Sequence, residues 1–350
     1  MTPAAPGLAG LGTAAGSCVV SQPETLDFLT RHYGADLRPG ARALLRRVFG
    51  HPGVRRRGFA FNHPSDLLGE DADRRSERFA RSAVELAARA SRSALSEAGT
   101  AARDVRVLVV NTCTDYLCPG LSSYLIEELG LERSVRAFDL VGAGCAGAIP
   151  NLELARAAVA DGGGPALCVA VEICSCAFRM GDDPSLIVSN ALFGDGAAAV
   201  VLSEAAPGLR LLGIRSLCAP EHREAIRFVY RGGQLHNQLA RELPGLAADA
   251  AARVVSDLLG RHGLRVNDIA HWAVHPGGAA VLDAVRESLG LPEAALAASR
   301  EVLADRGNLS SATVLFVLDA LRRRGMRRGE RVALVSFGAG LTAHAALLAV

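Results

Sequence analysis

The 350-residue sequence contains no lysine; all 38 of its basic residues are arginine. That absence excludes chemistry that needs a side-chain amine: Schiff-base catalysis, pyridoxal phosphate anchoring and the phosphate-loop lysine. Any anionic group must be held by arginine, by backbone N–H groups or by helix N-termini. Aromatic residues make up only 5% of the chain while half of it is hydrophobic. A large core must therefore be built mainly from Ala, Val and Leu. A surplus of charge is missing too, since 36 acidic residues leave a net charge of +2. Nothing in that balance points to nucleic acid or to an anionic membrane surface.

Targeting and metal signals are equally sparse. The first twenty residues have no basic flank followed by a compact apolar run, so no signal peptide is expected. The segment RVALVSFGAGLTAHAALLAV is the one apolar run of membrane-spanning length, but Gly338, Gly340, Ser336, Thr342 and His344 interrupt it. Two short buried strands around a glycine turn are expected there instead of a membrane helix. The eight cysteines show no zinc-ligand spacing, Cys113 to Cys118 and Cys174 to Cys176 included. Reduced thiols, no metal site and a cytoplasmic location are expected.

What is present is an α/β grammar. Apolar strand-like runs such as DVRVLVVNT (104–112) and ALCVAVEIC (166–174) alternate with Ala/Arg/Glu-rich helical runs. Continuous apolar strands of this kind are buried on both faces. AAAVVLSE (197–204) and LRLLGIRSLCA (209–219) are expected to pair across a Pro-Gly turn. A helix, a buried strand, a Gly-rich turn and another helix then recur in the second part of the chain. The pattern predicts two similar halves, residues 1–205 and 206–350.

Four glycine-marked loops stand out: GAGCAG (142–147), FGDG (193–196), HPGG (275–278) and GNLSSA (307–312). Three carry Cys145, His275 and Asn308. A lone Cys among Ala and Gly is usually a small buried apolar residue, and Asn before a helix is usually a cap. Their coincidence at strand–helix junctions, where catalytic groups of α/β folds gather, is what points to a site. The N-terminus of the helix expected near Pro150, together with a nearby His, would lower the Cys145 pKa towards the thiolate.

GCAGA (144–148), LFGDGAAAVVL (192–202), HWAVHPGGAAVLDAV (271–285), LADRGNLSSATVLFVLDALR (303–322) and SFGAGLTAHAALL (336–348) together resemble the type III polyketide synthases, the chalcone and stilbene synthase family. NTCTDYLCPGLSSYLIEELGL (111–131), with Cys118, resembles a family segment that lines the cavity and subunit interface. The likeness runs from about residue 40 to the end. It implies the thiolase fold, two similar α/β halves in a five-layer αβαβα arrangement, as a homodimer without a bound cofactor. It implies coenzyme A thioesters, acyl-CoA and malonyl-CoA, as substrates. Cys145 would accept the acyl group; His275 and Asn308 would polarise the malonyl thioester and hold the enolate left by decarboxylation. His275 would also keep Cys145 ionised. Phe193 would wall off the decarboxylation site, and Ser310, Gly338 and Ala339 would lie beside the thiol, the Ala339 loop supplying an N–H.

Several positions depart from the plant pattern. Cys113 and Cys174 stand where cavity threonines are usual, Ala177 replaces a third, Phe228 takes a glycine's place, and Asn237 replaces a second gating phenylalanine. Pocket volume sets what fits, so the resemblance implies a small resorcinol, phloroglucinol or pyrone product rather than a flavonoid. Arg55, Arg56 and Arg57 in HPGVRRRGF match the basic entrance for coenzyme A. The rivals are a ketoacyl synthase III-like enzyme condensing once with an acyl carrier protein, a cysteine hydrolase, and an inactive scaffold.

Overall fold

The computed structural model describes residues 5–350 apart from 205, 207, 232 and 233. In its first part the elements are β1 (Gly7–Ala15), β2 (Cys18–Ser21), α1 (Gln22–Tyr33), α2 (Pro39–Phe49), β3 (Arg56–Phe59), α3 (Ala72–Ala98), β4 (Val107–Asn111), α4 (Leu121–Leu129), β5 (Arg136–Leu140), α5 (Ala148–Ala160), β6 (Ala166–Ile173), α6 (Pro184–Leu192) and β7 (Asp195–Ser203). There follow β8 (Arg210–Cys218), β9 (Ile226–Arg231), β10 (Gln234–Leu239), α7 (Leu243–Arg261), β11 (His271–Val274), α8 (Ala279–Ser288), α9 (Ala297–Arg306), α10 (Thr313–Arg323), β12 (Arg331–Gly338) and β13 (Thr342–Ala349).

Nine strands form one sheet in the order β11-β12-β13-β8-β1-β7-β6-β4-β5. The two parts of the chain meet at β1 and β8, which pair in register at Gly7 and Arg210. Outward from β1 the pairings run antiparallel, antiparallel, parallel, parallel. Outward from β8 they run antiparallel, antiparallel, parallel. The expected hairpin of 197–204 with 209–219 does not form: β1 inserts between β7 and β8, pairing along nearly the whole of β7. A local turn cannot outcompete a ladder of eight residue pairs made with a distant strand. The expected division at 205/206 falls beside residue 205, which lies outside the described residues.

Side-chain alternation explains why these strands read as continuous apolar runs. Val107, Val109, Cys168 and Val200 face an inner core with α5 and α10, together with Val332, Leu334 and Leu348 from the second part. Leu108, Val110, Val169 and Val201 face the opposite way, under α3. Ala333, Val335 and Leu347 likewise face α7 and α8. Along β4, β6 and β7 nearly every residue is therefore buried, on one side of the sheet or the other, because successive side chains alternate. The result is five layers, αβαβα, with α5 and α10 as the central pair. The apolar 331–350 segment forms β12 and β13, as expected, and no helix among the described residues is long and apolar enough to cross a membrane.

Candidate active site

Both central helices begin at the site. Cys145 sits in a single 3-10 turn, Gly144–Ala146, immediately before α5. Asn308 follows α9 and precedes another such turn, Ser310–Ala312, which leads into α10. His275 comes one residue after β11, its N–H donating to the Val335 carbonyl on β12 at 2.8 Å. Ser310 joins the first two: its hydroxyl donates to the Cys145 sulfur at 3.3 Å, and its N–H donates to Asn308 Oδ1 at 2.8 Å. Thr313 Oγ1 donates to the Ser310 carbonyl at 2.7 Å and lies 3.3 Å from the Asn308 Oδ1. The amide is thereby oriented with Nδ2 as its free donor end, which reaches the Gly277 carbonyl at only 3.4 Å. The His275 ring packs edge-on against Phe337, and its Nδ1 has no partner among the described residues.

The turn carrying Cys145 is pressed against the end of β12. A Cβ on Gly338 would lie 2.3 Å from the Ala143 carbonyl oxygen and 2.6 Å from the Ala146 nitrogen. Only a hydrogen fits there.

Burial decides the resting charges. It pushes the Cys145 thiol up to about 12, against the pull of the Ser310 hydrogen bond, and the nearby Glu172 adds to the rise. It also pushes His275 down to about 3. The structure departs here from the expected thiolate: desolvation works against the helix terminus, favouring the neutral thiol and, separately, the neutral imidazole.

A cavity of about 100 Å³ with a mostly apolar wall opens at the thiol. Cys145, Ser310, Phe193, Cys113, Cys174, Ala177, Phe228, Asn237 and Ala339 all contribute to that wall, as does Arg57. Phe228 and Asn237 are register partners on β9 and β10, and Asn237 Nδ2 donates to Ser189 Oγ at 3.0 Å. His275 and Asn308 are buried behind the wall and Gly338 lies beneath it. Cys118 is exposed and does not reach the cavity within its own chain.

Two family models match this chain: the N-terminal domain of chalcone and stilbene synthases over residues 4–207, and their C-terminal domain over residues 216–350. The chain belongs to the chalcone and stilbene synthase family. It is 34% identical to the 3,5-dihydroxyphenylacetyl-CoA synthase of Streptomyces toyocaensis, over 99% of this chain and 90% of that protein. Identity to the bisdemethoxycurcumin synthase of Oryza sativa subsp. japonica is also 34%, over 97% and 90%. The solved 1,3,6,8-tetrahydroxynaphthalene synthase of Streptomyces coelicolor A3(2), a bacterial type III polyketide synthase, superimposes with a TM-score of 0.90 at 28% identity, over 98% of this chain and 99% of that one.

This chain is thus a type III polyketide synthase, an acyl-transferring, condensing enzyme of a family that uses coenzyme A thioesters. The single-condensation, hydrolase and scaffold rivals do not fit these matches. The likeness also starts near residue 4, well before the expected residue 40.

The synthase does not use its arginine triplet as one unit. Arg55 and Arg56 are exposed and share the Asp305 carboxylate, at 2.9 and 3.3 Å. Arg57 is buried, its guanidinium lying over the rings of Phe59 and Phe49, so it is removed from the candidates for phosphate binding. β-strand alternation places neighbouring arginines on opposite faces.

Sequence reasoning passed over three features. Glu172 is a buried carboxyl on β6 that accepts from the Cys113 N–H at 3.0 Å and from the Ser311 hydroxyl. Burial holds its pKa above the ordinary carboxylate range. Asp195, the acid of FGDG, accepts from the N–H groups of Ala60 and Ser175 at 2.8 Å each, and so ties the strand after Phe193 to two cavity segments. A single acid in an otherwise apolar strand was the available signal in both cases. The third feature is a separate cleft of about 450 Å³ with Arg47, His51 and Arg241 at its sides and Gly277 and Gly278 in its floor.

Proposed function

We propose that Cys145 takes an acyl group from acyl-CoA and that His275 and Asn308 hold the thioester oxygen of malonyl-CoA during its decarboxylation. The C–C bond to the carboxylate breaks, CO₂ leaves, and the electron pair passes into an enolate held by two neutral N–H donors. The enolate carbon attacks the Cys145 thioester, and the chain grows by two carbons as the Cys145 sulfur is released. In the loading step the Cys145 proton passes to the neutral imidazole as the sulfur attacks, and on to the coenzyme A sulfur as the acyl–sulfur bond to it breaks, leaving the imidazole neutral again. Ser310 and the backbone at Ala339 stabilise charge at that centre. The observation that carries this reading is Ser310, which hydrogen-bonds the thiol through its hydroxyl and the Asn308 amide through its N–H.

The cleft beside Gly277 has a basic mouth and the uncapped start of α8 (N-cap Gly278, no side-chain cap) in its floor. We read it as the coenzyme A site, with Arg47, His51 and Arg241 taking the phosphates in place of the arginine triplet. β5 is the outer strand of the sheet and is largely exposed, with Phe138 at 39% and neighbouring Val141 at 64% exposure. An open edge of this kind suits antiparallel pairing with a second copy, giving a homodimer. That pairing would bring the exposed Cys118 loop to the interface. The eight cysteines form no disulfide among the described residues, in keeping with a reducing cytoplasmic setting. The small cavity narrowed by Phe228 suits a resorcinol, phloroglucinol or pyrone product.

The test is a panel of acyl-CoA starters with labelled malonyl-CoA, read by mass spectrometry on protein and released products. Labelled cyclic products, absent with Cys145→Ala, are expected. Acylation without extension would move the malonyl donor to an acyl carrier protein, and no adduct with any starter would remove Cys145 as nucleophile.

A further inference from the structure

Arg57 is a cation at 1% exposure in an apolar setting, yet no carboxylate pairs with it among the described residues. Its Nη1 donates to the Asn190 carbonyl at 2.5 Å and to the Phe193 carbonyl at 2.9 Å. Both lie at the C-terminal end of α6, where the helix dipole favours positive charge. Nε and Nη2 find no partner among the described residues, while the guanidinium plane lies over the Phe59 ring at 5.0 Å. Burial lowers the Arg57 pKa only to about 9, with Asp195 opposing the shift, so the group stays charged at neutral pH.

The two carbonyls belong to the segment that also holds Asn308. The Asn308 N–H donates to the Leu192 carbonyl at 2.8 Å, and the Gly194 N–H donates back to the Asn308 carbonyl at 3.0 Å. The Arg57 stem presses on the other side of the same junction: a Cβ on Gly307 would lie 2.7 Å from Arg57 Cγ. One buried cation thus touches both chain segments that carry Phe193 and Asn308, and none that carries Cys145.

We propose that Arg57 is a positioning residue for decarboxylation and condensation, setting the Asn308 amide and the Phe193 ring relative to the thiol; this rests on the roles proposed above for Cys145 and Asn308. Arginine suits the task because a planar guanidinium can stack on a ring while one nitrogen bridges two carbonyls, which an ammonium cannot reproduce.

The experiment compares full-length wild type with Arg57→Met and Arg57→Lys in two assays. One is the rate of Cys145 acylation by acyl-CoA; the other is CO₂ release from carboxyl-labelled malonyl-CoA. Arg57→Met is expected to keep acylation within about twofold while CO₂ release falls on the order of 10- to 100-fold, the scale of a sub-ångström to 1 Å misplacement. Arg57→Lys is expected to recover part of that loss. Equal falls in both rates, as a smaller folded fraction would give, overturn the proposal, and so does no change in either. Should Arg57→Met fail to fold, Arg57→Lys decides by the same ratio, since lysine can reach one carbonyl but not bridge both. A wild type that neither acylates nor releases CO₂ sinks the roles of Cys145 and Asn308 rather than that of Arg57.

Discussion

Replacing Gly338 with alanine adds a single methyl group at the end of β12, and its effect can be worked from the contacts beneath it. The new Cβ would lie 2.3 Å from the Ala143 oxygen, 2.6 Å from the Ala146 nitrogen and 3.0 Å from the Ala146 Cβ. All three atoms belong to, or flank, the turn that presents Cys145, and the first two are backbone that cannot rotate away. Relief of the overlap requires a separation of strand and turn of roughly 0.7–1 Å, at about 1–3 kcal/mol for overpacking a tight interior. A reacting atom displaced by that distance loses on the order of a hundredfold in rate. Gly260 is the control: it lies within α7, and a Cβ there meets nothing within 4 Å. Gly260→Ala is expected to gain about 0.5–1 kcal/mol from helix propensity alone and to leave turnover unchanged. Urea unfolding gives the stability of each variant, and the rate of Cys145 acylation by acyl-CoA gives the chemical cost. Wild-type acylation by Gly338→Ala would refute the claim that β12 pins the thiol.

Other expectations follow from the same geometry. Ser310→Ala removes the hydroxyl that donates to the Cys145 sulfur; acylation should slow by about tenfold, the worth of one hydrogen bond to a developing charge, with its rate profile in pH steepened towards alkali. Arg47→Ala combined with Arg241→Ala should raise KM for malonyl-CoA by about tenfold or more with kcat nearly unchanged, and a fall in kcat at constant KM would remove the cleft as the phosphate site. Burial lowers the pKa of His344 from its ordinary 6.5 to about 4, so as pH falls below 6.5 the unfolded chain takes up a proton that the folded one refuses. Stability is lost in that direction, by about 2 kcal/mol at pH 5 relative to pH 7. His344→Gln should abolish this part of the acid loss in urea titrations at the two pH values; a wild-type-to-variant gap that does not change with pH would sink it. Ala137→Pro on β5 should convert a dimer to monomer in light scattering, since proline removes a ladder donor at the open edge.

Much of this site was legible because glycine marks it. Cys145, His275 and Asn308 each stand in a Gly-rich loop at a strand–helix junction, and those loops can be found without knowing the fold. The central strands β4, β6 and β7 were legible because burial on both faces leaves no polar alternation to misread. The β7–β8 hairpin was misread because its two strands are close in sequence, while the strand between them comes from the start of the chain. Arg57 was placed with Arg55 and Arg56 because three identical side chains in a row carry no mark of which one points inward. The basic groups of the cleft proposed for coenzyme A were invisible for another reason: Arg47, His51 and Arg241 come together only when α2 and the segment before α7 meet. The thiolate expectation failed on desolvation, which is a property of packing depth and of no single residue.

The meeting of the two central helices at one cavity has a consequence for how the enzyme comes into being. The thiol arrives with α5, and the groups proposed to handle malonate arrive only later, with β11 and α10. While the ribosome is still extending the second part, the nascent protein holds a cysteine and nothing to use it with. The neutral, buried state of that thiol in the finished fold is likewise reached only once β12 has closed over its turn. Competence for chemistry therefore waits for β11, β12 and the turn before α10, so catalytic activity itself reports that these later elements have docked.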